Sequence, residues 1–158
     1  PAGLLNPENT RLLAVVRDAM EETEQAASAL RNLAGNLDRA RGGSPDTASA
    51  AREHAGAAFY QVIDERFPRW LASLDEADPI RDRDQWRRLL RSEAWAQQEA
   101  LASAVPDTAF AGRGEGKGRM DVGKAMFFFR RALNVAVPAP AQQDSSAENN
   151  KNEERTPA

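Results

Sequence analysis

The chain has 158 residues, 41% of them hydrophobic and 28% charged, with no cysteine, a single histidine (His54) and a net charge of −3. That length supports one domain with a real core; the missing cysteines exclude disulfides, thiolate nucleophiles and cysteine zinc sites, and one histidine excludes histidine-rich metal sites. The acidic balance leaves no global basic footprint for nucleic acid, so any such role needs a local patch, and no apolar run approaches the roughly 20 residues of a membrane span.

Proline punctuates the chain. Pro7, Pro45, Pro79, Pro106 and Pro138 bracket four long stretches, and only Pro68 falls well inside one. Proline suits a first helical turn and disrupts an interior, so this layout predicts four helices and their joints. No signal segment is expected ahead of them. A chain that opens on Pro1 rather than Met is expected to be part of a longer protein.

The first stretch runs from about Pro7 to Arg41, with Asn6 as a plausible N-cap and Gly42-Gly43 as a stop. Leu13, Val16, Met20, Thr23, Ala27, Leu30, Ala34 and Leu37 alternate at three and four, which is a heptad seam. Leu12, Ala19, Ala26, Leu33 and Ala40 follow at sevens and widen the stripe, so this helix is expected to pack against more than one partner.

The second stretch starts at Ser44-Pro45, a cap followed by proline at the first helical position. Ala48, Ala51, Ala55, Phe59, Val62, Ile63, Phe67, Trp70, Leu71 and Leu74 carry its helical period, with a kink expected near Pro68. The third is announced by Asp82 and Asp84, carries Trp86, Leu89, Leu90, Ala94, Leu101 and Ala104, and ends at Pro106. The fourth spans about Arg119 to Ala136, with Val122, Ala125, Met126, Phe129, Ala132, Leu133 and Ala136 inward. Beyond Pro138 the chain is polar and nearly free of large apolar residues, the composition of a disordered tail. The fold expected is all-α, a four-helix bundle over residues 7–137, with a lead-in at 1–6 and a disordered C-terminal tail at 138–158. Short joints favour antiparallel neighbours.

Catalytic and metal chemistry finds little support. His54 lies on an alanine-rich helix with no nucleophile elbow to serve and reads as a surface or packing residue. Asp75, Glu76, Asp78, Asp82 and Asp84 lack the calcium-loop spacing and read as a solvated joint with a helix cap. The glycine-rich run from Gly112 to Gly118 fails the phosphate-loop pattern, because three residues separate Gly112 from Gly116 and no Ser or Thr follows Lys117. No catalytic residue, metal site or cofactor is expected.

A basic loop is better supported. Arg113, Lys117, Arg119, Lys124, Arg130 and Arg131 face only Glu115 and Asp121 between residues 113 and 131. Glycines there expose backbone N–H groups to close approach by phosphates. These six residues are the candidate nucleic-acid contacts; the competing reading is a solvated linker. Arg81, Arg83, Arg87, Arg88 and Arg91 form a second run, with Arg87, Arg88 and Arg91 expected toward solvent. The aromatic residues at helical spacing are expected in the core, and of Phe127, Phe128 and Phe129 at least one should face a partner helix or another protein.

Phe59-Tyr60, the downstream Phe67 and Trp70-Leu71, Trp86 across an acidic joint and the basic helix KAMFFFRRALN give the chain a family likeness over about residues 7–137. It resembles the C-terminal four-helix bundle of the CasA family, the large subunits of the type I-E CRISPR Cascade complex. The resemblance implies a non-catalytic, cytoplasmic domain of an RNA-guided antiviral complex. It implies as partners the small subunits and other Cascade subunits, target DNA and the guide RNA complex, with a helicase-nuclease recruited through the full-length protein and no membrane. The family's motif-reading residues belong to another domain and have no counterpart here. The rival expectation is a generic helical interaction or regulatory domain without nucleic-acid binding.

Overall fold

The computed structural model describes residues 7–75, 77–105 and 122–138. Four helices make up these segments: α1 (Pro7–Ala40), α2 (Pro45–Ala72), α3 (Pro79–Ser103) and α4 (Val122–Ala136). No strand occurs among the described residues. The lead-in at 1–6, most of the expected tail and the basic loop at 113–121 lie outside them.

The first helix is the hub. The other three pack on it, and α2 also touches α3. This follows from its wide stripe: Ala19, Ala26, Ala27, Leu30, Leu33, Ala34 and Leu37 are all buried, on faces that meet different neighbours. Small residues let the neighbours come close. Arg52 of α2 lies over Gly35 of α1, and Arg31 of α1 lies over Gly56 of α2, so that a methyl group at either glycine would collide with an arginine stem.

The stop after α1 is as expected. Gly42 takes φ 93°, a left-handed conformation that glycine adopts freely, and Gly43 donates its N–H back to the Asp38 carbonyl at 2.8 Å. The Ser44 side chain accepts from the Thr47 N–H at 3.2 Å to start α2. The Thr47 hydroxyl in turn donates to the buried Asp38 carboxylate at 2.8 Å, which ties the end of one helix to the start of the next. The helix then continues through Pro68 to Ala72.

At the far end, α3 begins earlier than Asp82 and Asp84 suggested. Asp78 is the cap, its carboxylate accepting from the Arg81 N–H at 3.0 Å, and Pro79 opens the first turn. Asp82 is therefore one turn inside the helix and buried, not part of a solvated joint. Its backbone carbonyl accepts the Trp70 indole N–H at 3.2 Å.

Three aromatic rings of the core meet here. Trp70 and Trp86 meet tilted at 40° with centroids 4.7 Å apart, and Phe67 meets the Trp86 ring edge-on at 5.3 Å. A buried indole needs an acceptor, and Thr23 explains its own place in the seam: Trp86 donates to the Ala19 carbonyl at 3.1 Å and to the Thr23 hydroxyl at 3.2 Å. The contacts of α1 with α2, and of α2 with α3, run in opposite sequence directions, as do those of α3 with α4, giving the antiparallel neighbours expected. Ala125, Phe129, Leu133 and Val137 dock α4 by one buried stripe.

Candidate nucleic-acid interface

A helix advances about 100° per residue, so docking Ala125, Phe129 and Leu133 inward determines where the rest of α4 points. Lys124, Phe127, Phe128, Arg131 and Val135 fall on its outward side, and all are exposed. Arg130 lies on the flank toward α3. Of the six basic residues expected to contact nucleic acid, Lys124, Arg130 and Arg131 are thus placed on α4, while Arg113, Lys117 and Arg119 lie outside the described residues.

The structure joins the two basic runs at one aromatic ring. The Arg130 guanidinium lies 5.4 Å from the centroid of Trp95 on α3, and that of Arg91 lies 5.8 Å from it. Arg91 also donates to the Val137 carbonyl at 3.0 Å and to Asn134 Oδ1 at 2.7 Å. It is half-buried and pins the end of α4 rather than pointing freely to solvent. Trp95 meets Phe129 edge-on at 6.4 Å, so the ring beneath the cations is itself held by the core.

Arg81, Arg83 and Arg87 of the second run are paired with carboxylates, which corrects the expectation that Arg87 lies toward solvent. Arg81 pairs with Asp75 at 2.6 Å and Arg83 with Asp18 at 3.1 Å. Arg87 reaches Glu22 at 2.8 Å and Asp84 at 3.5 Å. Of Arg87, Arg88 and Arg91, only Arg88 is exposed as expected, its Nε directed at the Asp84 carbonyl at 3.4 Å. Burial pushes the Glu22 carboxyl above the usual range in spite of Arg87. Arg131 has no carboxylate partner among the described residues.

Beside Arg131, an open groove of about 660 Å³ separates α4 from α1, with Gln25, Ser28 and Asn32 on one bank and Phe128 and Val135 on the other. The α1 bank adds the Glu24 carboxylate to these neutral hydrogen-bonding groups; the α4 bank combines apolar surface with the Arg131 cation. Phe127 and Phe128 remain 61% and 48% exposed, and only Phe129 of the three is buried. The role of Trp95 was missed in the sequence. Its signal was the four-residue spacing from Arg91, which puts both on one helical face.

The other candidates do different work. His54 is exposed on α2. Asp75 accepts the Ala77 N–H at 2.9 Å, and this backbone bond together with Arg81 holds its carboxyl below the usual range. With Asp78 as a cap, the acidic joint is committed to ending one helix and starting the next. Among the described residues no cluster of metal-ligating side chains occurs, and no helix is long and apolar enough to cross a membrane.

A family model described as CRISPR-associated protein Cse1 matches residues 1–97, which takes in α1, α2 and most of α3. No curated protein and no solved structure matches the chain.

Proposed function

The chain belongs to the CRISPR-associated Cse1 family, a family of CRISPR Cascade subunits, and from that premise we propose that it is a non-catalytic helical domain that contacts the DNA backbone and docks neighbouring subunits. In this reading it is the C-terminal bundle of the large subunit and acts in antiviral defence in the cytoplasm. The observation that carries the DNA contact is the exposed Arg130 seated on the Trp95 ring, next to Arg131 on the outward side of α4, with Arg91 fixing the helix end behind them. Cations held on a core-anchored ring are placed to meet phosphates without a large ordering cost, and such contacts carry no sequence information. The exposed Phe127, Phe128 and Val135 supply apolar surface for docking.

The chain's net charge of −3 opposes DNA as a whole. Its isolated affinity is therefore expected in the nonspecific range, about 10⁻⁴–10⁻⁶ M, with avidity in the assembly supplying the rest. The test is DNA binding by the Arg130→Glu/Arg131→Glu double variant across a salt series, with Arg39→Glu as control. Affinity should fall equally on unrelated sequences, and the salt slope should shrink by about one for each phosphate that is no longer neutralised. Binding like the parent's at low salt, both alone and in the assembled complex, would leave a protein-docking domain without nucleic-acid contact. The exposed phenylalanines alone favour that second reading.

A further inference from the structure

The α1–α2 seam holds a cavity of about 410 Å³, walled by Met20, Ile63, Phe67 and Pro68 and separated from the α1–α4 groove by Glu24, which lines both. That volume lies within the size range of ligand pockets. Its back wall is rigid, because Phe67 packs on Trp70 at 5.5 Å and on Trp86 at 5.3 Å. The hydroxyl donors of the lining are already used. The Thr23 hydroxyl donates to the Ala19 carbonyl at 2.7 Å, and the Tyr60 hydroxyl donates to Glu24.

Acceptors remain at the mouth. The charge of Glu24 is shared with Arg31 at 3.0 Å. Asp64 is exposed and has no ion pair among the described residues. Pro68 adds to this side, since it has no N–H to give to the carbonyl of Asp64 four residues earlier, which therefore lacks its helical donor. The result is an apolar hole with acceptors and an unpaired carboxylate at its edge. An anion entering it would meet the carboxylates of Glu24 and Asp64, the former already paired with Arg31, whereas a cation beside an apolar group would satisfy both the hole and Asp64.

We propose that this cavity receives an apolar side chain adjacent to an arginine or lysine on a segment of a partner polypeptide, the cation lying against Asp64. A polypeptide is the occupant because the chain belongs to a family of complex components with other subunits. The proposal uses neither α4 nor its basic face, so it stands or falls separately from the DNA contact.

The experiment is a titration of the whole chain with acetyl-Phe-Arg-amide, followed by amide chemical shifts, with acetyl-Phe-Glu-amide as the charge-reversed probe. The Phe-Arg probe should shift Met20, Thr23, Tyr60 and Ile63 saturably, and the Phe-Glu probe should not. Asp64→Asn should weaken binding about three- to five-fold, the scale of one exposed ion pair. Met20→Trp, which fills the mouth, should abolish it. Both positions are exposed, so thermal midpoints should match the parent's. Equal binding of the two dipeptides, unchanged affinity in Asp64→Asn, or no shift at these amides would overturn the proposal. Tighter binding of phenethylammonium than of the Phe-Arg probe would also overturn it, by making the occupant a small amine.

Discussion

Glu22 and Glu24 sit two residues apart on α1 and are driven in opposite directions. Glu22 turns toward α3, where loss of water outweighs its pairing with Arg87 and raises its carboxyl. Glu24 turns toward α2, where the Tyr60 hydroxyl and then Arg31 donate to it and lower its carboxyl from 4.5. A carboxylate lowered by folding contributes stability that is present above its unfolded value and is lost as pH falls through its folded value. Glu24 is largely exposed, so screening limits the effect to the range of surface pairs, about 0.2–1 kcal/mol. Glu24→Gln should therefore be slightly less stable than the parent at pH 7. The difference should close as pH falls below 4.5. Urea midpoints measured from pH 7 downward check this; a gap that stays constant or widens in acid would mean that the Tyr60 and Arg31 contacts do not depend on the charge.

At the scale of the helix, α1 separates positions that the sequence alone cannot. Leu30 is fully buried at the centre of the seam, whereas Leu13, near the N-terminal start of the same pattern, is 61% exposed. Leu30→Ala should cost about 2–5 kcal/mol, and Leu13→Ala should stay within about 0.5 kcal/mol. Equilibrium denaturation of both variants decides it, and equal losses would mean that Leu13 is covered. The reason for the difference lies in the face. Met20, seven residues on from Leu13, is also 61% exposed, while Val15 and Ala19 between them are buried, so a straight helix turns these early positions of the seven-residue pattern away from its neighbours. Helix number, the caps at Ser44 and the Gly42 stop were legible because each is local chemistry. The burial of Asp82 and the pairing of Arg83 with Asp18 and of Arg87 with Glu22 were not, because they depend on which neighbouring helix stands opposite. The same holds for the site: the excess of cations near α4 was visible in the composition, but the meeting of Arg91 and Arg130 on Trp95 required α3 and α4 to be docked.

For the whole molecule, the arrangement around α1 implies unequal stability. The centre of α1 is covered by three helices, so its amides are exposed only when the structure opens globally. The fourth helix is held by the single stripe Ala125, Phe129, Leu133 and Val137, with side-chain contacts to α3 at Trp95 and Arg91. It should open by itself at a lower free energy, as elements with less buried apolar surface do. Two substitutions separate the levels. Leu133→Ala weakens the native state against every state in which α4 is undocked, so it should lower the opening free energy of α4 and of the α1 centre alike, by about 2–5 kcal/mol. Phe59→Ala removes packing between α2 and α1 that survives when only α4 opens. It should lower protection of α1 residues 27–34 by about 3–5 kcal/mol and leave that of α4 residues 125–133 unchanged. Native-state hydrogen exchange reads both. If Phe59→Ala lowers the two sets together, the four helices unfold as one unit. A separately opening α4 would place the arginines and exposed phenylalanines on the element whose order a bound partner can stabilise most, because binding that requires a docked helix adds its free energy to the docked state alone.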